Sequence, residues 1–311
     1  MTQPSRSVST LGFISVLAIF ASCSDAAPQK EFDGPAAYRY VEQQVGFGPR
    51  IPGTAAHRNT GNWLDSLLRA RADTVIVQSW NHVSLKGDTL PLRNFIARFN
   101  PAAQKRILYL AHWDTKPASG RDEQLDYSKP IDGANDGGSG VAILLGVADA
   151  LKAKPLAPDI GVDLLFVDGE DYGIFSEKSD VLIGTRYYVD HPPPGPRPEF
   201  AVLFDMVGDK DLKIPTESYS SIAAPEVVDR VWSTAEGLGY SAYFPRADGG
   251  AVEDDHVPLQ KAGISAVDVI DFSFGPGNTW WHGPGDVVGN VSAESLKIVG
   301  DVAVAVLRGV K

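Results

Sequence analysis

The strongest constraint on this chain is a recurring unit: a short apolar run, ending in acids or a histidine, followed by a helical segment. The runs are "RILYLAHWD" (106–114), "VDLLFVDGED" (162–171), "AVLFDMVG" (201–208) and "ISAVDVIDF" (264–272). Helix-period segments lie among or after them: "SGVAILLGVADALKA", "PEVVDRVWSTAEGLG" and "SAESLKIVGDVAVAVLRG". Near-continuous apolar strands alternating with helices predict a mostly parallel sheet covered on both faces. Upstream, "AAYRYVEQQVGF" and "HRNTGNWLDSLLRARA" read as helices, the latter with Trp63, Leu64, Leu67 and Leu68 on one stripe. "TVIVQSW" and "NFIARF" then read as an early antiparallel hairpin. The expected class is therefore α/β, with a mixed, mostly parallel central sheet flanked by helices.

Ligand and catalytic sites of open α/β sheets form at the carboxyl ends of strands. His112 and Asp114 end the first run, Glu170 and Asp171 the second, and Asp205 the third, so all should converge on one rim. Acids packed at the edge of a core repel one another and need solvent, cations or a metal to offset them. Between the first two runs, "IDGANDGGSGVAILL" places Asp136 in a glycine-rich turn ahead of a helix, where Asp136 or Ser139 could simply cap that helix. Later, "AVEDDHVPLQKAGISAV" and "TWWHGPGD" add Glu253, Asp254, Asp255, His256 and His282. Taken alone, His282 reads as an ordinary loop histidine, and Asp255 with His256 as a local hydrogen-bonded pair. Together, carboxylates and imidazole without thiolate suit a catalytic zinc with an open position rather than a closed structural one.

At 311 residues, 43% of them hydrophobic, the chain has material for one large domain. Its net charge of −11, with no Lys/Arg cluster, argues against a nucleic-acid partner. Arg6 followed by "LGFISVLAIFA" reads as a secretory leader over 1–22, too short in its apolar part to span a membrane. Cys23, the sole cysteine, sits where a bacterial lipoprotein is cleaved and lipidated, and "FASC" resembles that lipobox apart from Phe20. Simple secretion with a chance cysteine is the other reading. Expected, then, are a tether over 23–34, one catalytic domain over 35–311, and a periplasmic location with membrane attachment only through Cys23. Cleavage removes Arg6 and no acid, leaving the mature chain one unit more negative. No internal disulfide is possible.

The ordered set "FGPRIPGT", "AHWDTKP", "DGANDGGSG", "DGED", "FDMVG", "EDDHVPL" and "WWHGPGD" resembles the animal-type, zinc-dependent glutaminyl cyclases, which share a fold with the zinc aminopeptidases. The resemblance runs from about Tyr38 to the C-terminus, and the "HWDTKP" loop, the "DDH" before Val-Pro and the tryptophan before the late histidine lean toward cyclase. It implies conversion of N-terminal glutamine of peptides or proteins to pyroglutamate with release of ammonia, using one Zn²⁺ per chain. By the same resemblance Asp136, Asp171 and His282 would be the zinc ligands, and Glu170 the general acid/base. Asp205 and Asp254 would be further catalytic acids, and Trp281 a wall of the substrate pocket. One departure stands out: Asp171 occupies a position where the cyclases usually carry Glu, a side chain one methylene longer.

Two alternatives carry their own signatures. A two-zinc aminopeptidase would recruit His112 and Asp205 to a second metal, and both are present. An inactive, surface-anchored binding protein would have lost a ligand or the base, whereas Glu170 and every ligand position hold competent residues. Other residues have bland readings: His57, His82 and His191 as solvated, and Trp80, Trp232 and Trp280 as packing. Asp209, Asp211 and Glu217 read as a solvated run, Asp168 as a structural strand-end acid, and Lys116 and Arg186 as countercharges without identifiable partners.

Overall fold

A computed structural model describes residues 1, 2, 4, 29–120 and 124–310. The expected leader, save three of its residues, and Cys23 lie outside the described residues. Six strands are described: β1 (Thr74–Val83), β2 (Thr89–Phe99), β3 (Lys105–His112), β4 (Ile160–Val167), β5 (Phe200–Asp205) and β6 (Ser265–Ile270). They form one sheet in the order β1-β2-β4-β3-β5-β6. β3 runs parallel to β4 and β5, and β5 parallel to β6, while β1 and β2 form the expected antiparallel hairpin.

Both faces of the sheet are covered because the strand side chains alternate between two apolar layers. Ile107, Tyr109 and Ala111 of β3 belong to one buried cluster, and Leu108 and Leu110 to another. The first layer receives α3 (Gly138–Ala153), α8 (Ala293–Arg308), α1 (Gly34–Gly46) and α6 (Pro225–Gly237). α3 is apolar nearly all round, which fits a helix wedged between the sheet and the outer helices α1 and α8. α2 (Ala55–Arg69) covers the β1–β2 hairpin. The second layer contains α4 (Ile183–Asp190) and α7 (His256–Lys261), with α5 (Ser218–Ala223) beside β6. These three helices have eight, six and six residues, too few turns to register as a 3.6-residue period in sequence.

The hairpin does not stand apart. β2 also pairs antiparallel with β4, from Phe95↔Phe166 to Phe99↔Val162, so β4 separates the sequence neighbours β2 and β3. One buried acid spans the three strands. Asp163 of β4 accepts from Arg98 Nε of β2 at 3.0 Å and from Arg106 Nε of β3 at 3.1 Å. Leaving any of these buried charges unpaired is costly, which disfavours other registers of β4.

The last residues of the expected tether are built into the domain. The Phe32 ring packs against Gly146 of α3 and Gly300 of α8, where an added Cβ on either glycine would overlap it. The Phe32 N–H donates to Asp301 Oδ1 at 2.9 Å. The folded unit therefore begins before residue 35.

Candidate metal centre and its cavity

The carboxyl ends of β3, β4 and β5 deliver their polar residues to one rim, as the strand ends predict. His112 ends β3 and is fully buried. Its Nε2 lies 3.1 Å from Asp136 Oδ1 and 3.2 Å from Asp205 Oδ1. On the other side of Asp136, His282 Nε2 lies 3.1 Å from Asp171 Oδ1 and 3.6 Å from Asp136 Oδ2. Among the described residues these form two overlapping groups, His112–Asp136–Asp205 and Asp136–Asp171–His282, each with ligand atoms within 4.8 Å of one another. Asp171, despite its shorter side chain, reaches the second group.

Two of the segments carrying these residues are each held by a further carboxylate. Asp114 accepts from the Glu170 and Asp171 N–H groups at 3.1 and 3.2 Å, which fixes the turn after β4. Asp286 accepts from the Asn135 and Asp136 N–H groups at 2.7 and 3.4 Å, and Arg50 donates to the carbonyls of Asp132 and Gly133 in the same loop. Gly137 follows with φ 75°, and a Cβ there would come within 2.9 Å of His112 Cε1, so only glycine allows the close approach. His282 itself has φ 52°, a strained conformation for a non-glycine residue, and its carbonyl accepts from Gly120 N–H at 2.7 Å.

The donor set fits a divalent cation. Asp136 Oδ2 and Asp171 Oδ2 are buried without a hydrogen-bond partner, as is His112 Nδ1. Buried acceptors left unmatched inside a protein are costly, and two carboxylate oxygens beside an imidazole are suitable ligands for zinc. The electrostatics agree. Burial, with Asp171 and Asp254 adding repulsion, raises the Glu170 carboxyl well above its ordinary range. Burial and Asp205 do the same to Asp254. Burial also opposes ionisation of Asp171, but His282 and Lys116 outweigh it and hold that group below the usual carboxylate range. Lys116 is the countercharge whose partner the sequence left open: its buried Nζ lies 3.3 Å from Asp171 Oδ1.

Glu170, Asp171, Asp136, Asp205, Asp254 and His282 line the polar end of a cavity of about 760 Å³, and Trp281 forms part of its wall. His112 does not line it. All six polar residues expected at the site, and Trp281, thus meet in one place.

Several bland readings need correction. His57 is buried rather than solvated: its Nε2 bonds Asp168 Oδ1 at 2.8 Å and its ring stacks on Trp113 at 4.2 Å. His82 pairs with Asp180 at 2.7 Å. Asp255 and His256 are not a pair; His256 Nε2 instead lies 3.2 Å from Glu217 Oε2. Of the supposed solvated run only Asp211 is exposed, since Asp209 and Glu217 are buried. His191 and Arg186 are exposed, Trp232 is buried, Trp80 stacks on Tyr187 and Trp280 packs on Phe274. Asp168 is the structural strand-end acid expected, bonded to His57 and to the Arg93 N–H.

Glu217 caps α5, accepting from the Tyr219 and Ser220 N–H groups, and also accepts from Val252 N–H in the cavity wall. Burial disfavours its charge, yet His256 and these donors bring its pKa down to about 2. A depressed folded-state pKa contributes stability above the unfolded value, lost as pH falls toward the folded one. Glu217→Gln is expected to cost roughly 2 kcal/mol at pH 7. The gap from the parent should close between about pH 5 and 2, as read by urea unfolding at several pH values.

Buried acids and histidines around an open cavity, at the carboxyl rim of a mostly parallel sheet, define a metal-dependent enzyme. More particularly, the chain belongs to peptidase family M28, whose model matches residues 94–307. The solved structure of Porphyromonas gingivalis glutaminyl cyclase is 39% identical with a TM-score of 0.82, covering 89% of this chain and 98% of that one. A Zn-dependent exopeptidase from Parabacteroides distasonis is 38% identical with a TM-score of 0.84, covering 91% of this chain and 100% of its own. Among curated sequences, Aminopeptidase YwaD of Bacillus subtilis is 32% identical over 66% of this chain, which spans 41% of that protein's length. Drosophila melanogaster glutaminyl-peptide cyclotransferase is 26% identical over 81% of this chain and 75% of its own length.

Proposed function

We propose that the chain is a zinc-dependent glutaminyl-peptide cyclotransferase, converting N-terminal glutamine to pyroglutamate with release of ammonia. The observation that carries the reading is the division of the site. Asp136, Asp171 and His282 line the cavity together with Glu170 and Asp254, while His112 is sealed behind, its Nε2 engaged by Asp136 and Asp205. That arrangement suits one cavity-facing cation. The similarity to the Porphyromonas glutaminyl cyclase, over nearly all of that chain, supports it.

In this reading Asp136, Asp171 and His282 would hold a Zn²⁺, and the chemistry it would supply is Lewis-acid polarisation of the γ-amide carbonyl. The chain's own residues do the rest. The nucleophile is the substrate's α-amine, so positioning replaces activation of water. Glu170, with its raised proton affinity, takes a proton from the amine as the N–Cδ bond forms. It returns that proton to the amide nitrogen as the Cδ–N bond breaks and ammonia leaves. Asp254 and Asp205 hold the amine beside Glu170, and Trp281 closes one side of the cavity.

A second reading, a two-metal aminopeptidase, is favoured by one observation: the His112–Asp136–Asp205 group is intact. Asp205 separates the two, as a metal ligand in one and an acid beside the amine in the other. Purified protein is expected to carry close to one zinc per chain and to release ammonia from glutaminyl peptides, with leucyl amide turned over at least a hundredfold more slowly. Two zincs and leucyl amide turnover without cyclisation would establish the peptidase. Export, with Cys23 lipidated, completes the proposal; membrane fractionation of the parent against Cys23→Ser tests it. No helix among the described residues is long and apolar enough to cross a membrane.

A further inference from the structure

A second cavity, of about 470 Å³, lies between α2 and the β1–β2 hairpin and shares no lining residue with the cavity at the metal centre. Thr54, which caps α2, lines it together with His57 and Arg58 of that helix and Arg93 of β2. Among the described residues no acid lines it. In a chain where acids outnumber bases 39 to 28, this pocket runs against the overall balance of charge. Its positive groups are also poorly offset. The Arg58 guanidinium is exposed and makes no hydrogen bond or ion pair among the described residues. Arg93 donates from one terminal nitrogen to Asn62 Oδ1 at 2.8 Å and from the other to the Arg58 carbonyl at 3.0 Å, so its fork is fixed beside α2 without a bonded carboxylate. Burial weakens its hold on its proton and Arg58 adds to that, against Asp168 and Asp65. His57 is only 2% exposed; its Nε2 is committed to Asp168, and no hydrogen bond among the described residues engages its other ring nitrogen.

We infer that this cavity is a binding site for a small oxyanion ligand, whose phosphate or carboxylate group is clamped between Arg58 and Arg93. Guanidinium forks match the geometry of both groups and bind them more strongly than neutral donors do. An anion there relieves the repulsion between the two arginines and faces the N-terminus of α2, a fifteen-residue helix whose dipole favours negative charge. The unengaged nitrogen of His57 adds a polar partner from the buried side. The volume falls within the range of small-molecule sites, roughly 300–1,000 Å³, and leaves room for a body attached to the anionic group.

Titration calorimetry of the zinc-loaded protein with inorganic phosphate and with succinate, against sodium chloride at equal ionic strength, tests this. At least one of the two probes is expected to bind at a single site with a Kd of about 1 mM or tighter, and the tighter one identifies the anionic group as phosphate or carboxylate. Arg58→Gln should weaken that binding roughly tenfold or more, Arg58→Glu should abolish it, and Arg58→Lys should keep part of it. Because Arg58 is exposed and unbonded, each variant should melt within about 2 °C of the parent in chloride. The affinity should be unchanged in His282→Ala, which separates this site from capture of the anion by zinc. Binding of neither probe, an affinity unmoved in Arg58→Gln, or loss of binding in His282→Ala would overturn the inference.

Discussion

Glu170→Gln is expected to lower kcat for glutaminyl peptides by roughly 10²–10⁴-fold, the usual worth of a positioned general acid/base. The amide has nearly the same shape and cannot accept the amine proton. Its backbone stays fixed, since Asp114 holds the Glu170 and Asp171 N–H groups through the main chain. Asp136, Asp171 and His282 are untouched, so bound zinc per chain should match the parent. KM should change little, because the lost interaction matters only as the proton moves. The melting temperature should hold or rise, because burial and the neighbouring acids Asp171 and Asp254 already oppose the Glu170 charge. Ammonia release measured beside metal content checks the prediction. Parental turnover in the variant would remove Glu170 from the chemistry.

The second large effect concerns the metal. Chelation is expected to abolish glutaminyl turnover and to lower the melting temperature by roughly 5–10 °C, both restored by added zinc. The size follows from linkage: a ligand present at about a thousand times its Kd stabilises the folded state by about 4 kcal/mol. The cause lies in the site, where burial and mutual repulsion push Asp136, Glu170 and Asp254 toward protonation and a dication would relieve them. His282→Ala should lose the zinc-dependent rise in melting temperature while melting close to the chelated parent. Calorimetry of the two proteins with and without zinc makes the comparison. An undiminished zinc response in the variant would exclude the Asp136–Asp171–His282 group as the centre.

The strand-end acids of the candidate site were legible from their positions in the sequence, whereas the full ligand set came only from the resemblance to the glutaminyl cyclases. Asp171 and Glu170 close an apolar run, and Asp136 sits among glycines before a helix. His282 follows a tryptophan pair, and the absence of a second cysteine removes thiolate alternatives. What went unread has a common cause. His57 and Glu217 lie in polar stretches that look solvated, and their burial is imposed from far away. His57 is 111 residues from Asp168, its partner, and Asp114 holds N–H groups 56 and 57 residues away. Lys116 and Asp171, 55 residues apart, likewise meet only in the folded state. A polar residue's local neighbours carry no signal about a partner of that kind.

By itself the sequence determined the α/β class, the parallel run of strands and the residue types that gather at their carboxyl ends. Side-chain period and strand-end polarity are local properties, readable within ten residues. Tertiary structure alone decided that β4 lies between β2 and β3, joined to both by Asp163, Arg98 and Arg106. It also decided that Asp171 reaches its group despite a shorter side chain, with Lys116 behind it, and that His112 is sealed from the cavity. These are questions of distance between residues remote in the chain. Packing and the cost of unpaired buried charge settle them, and neither acts until the chain has folded.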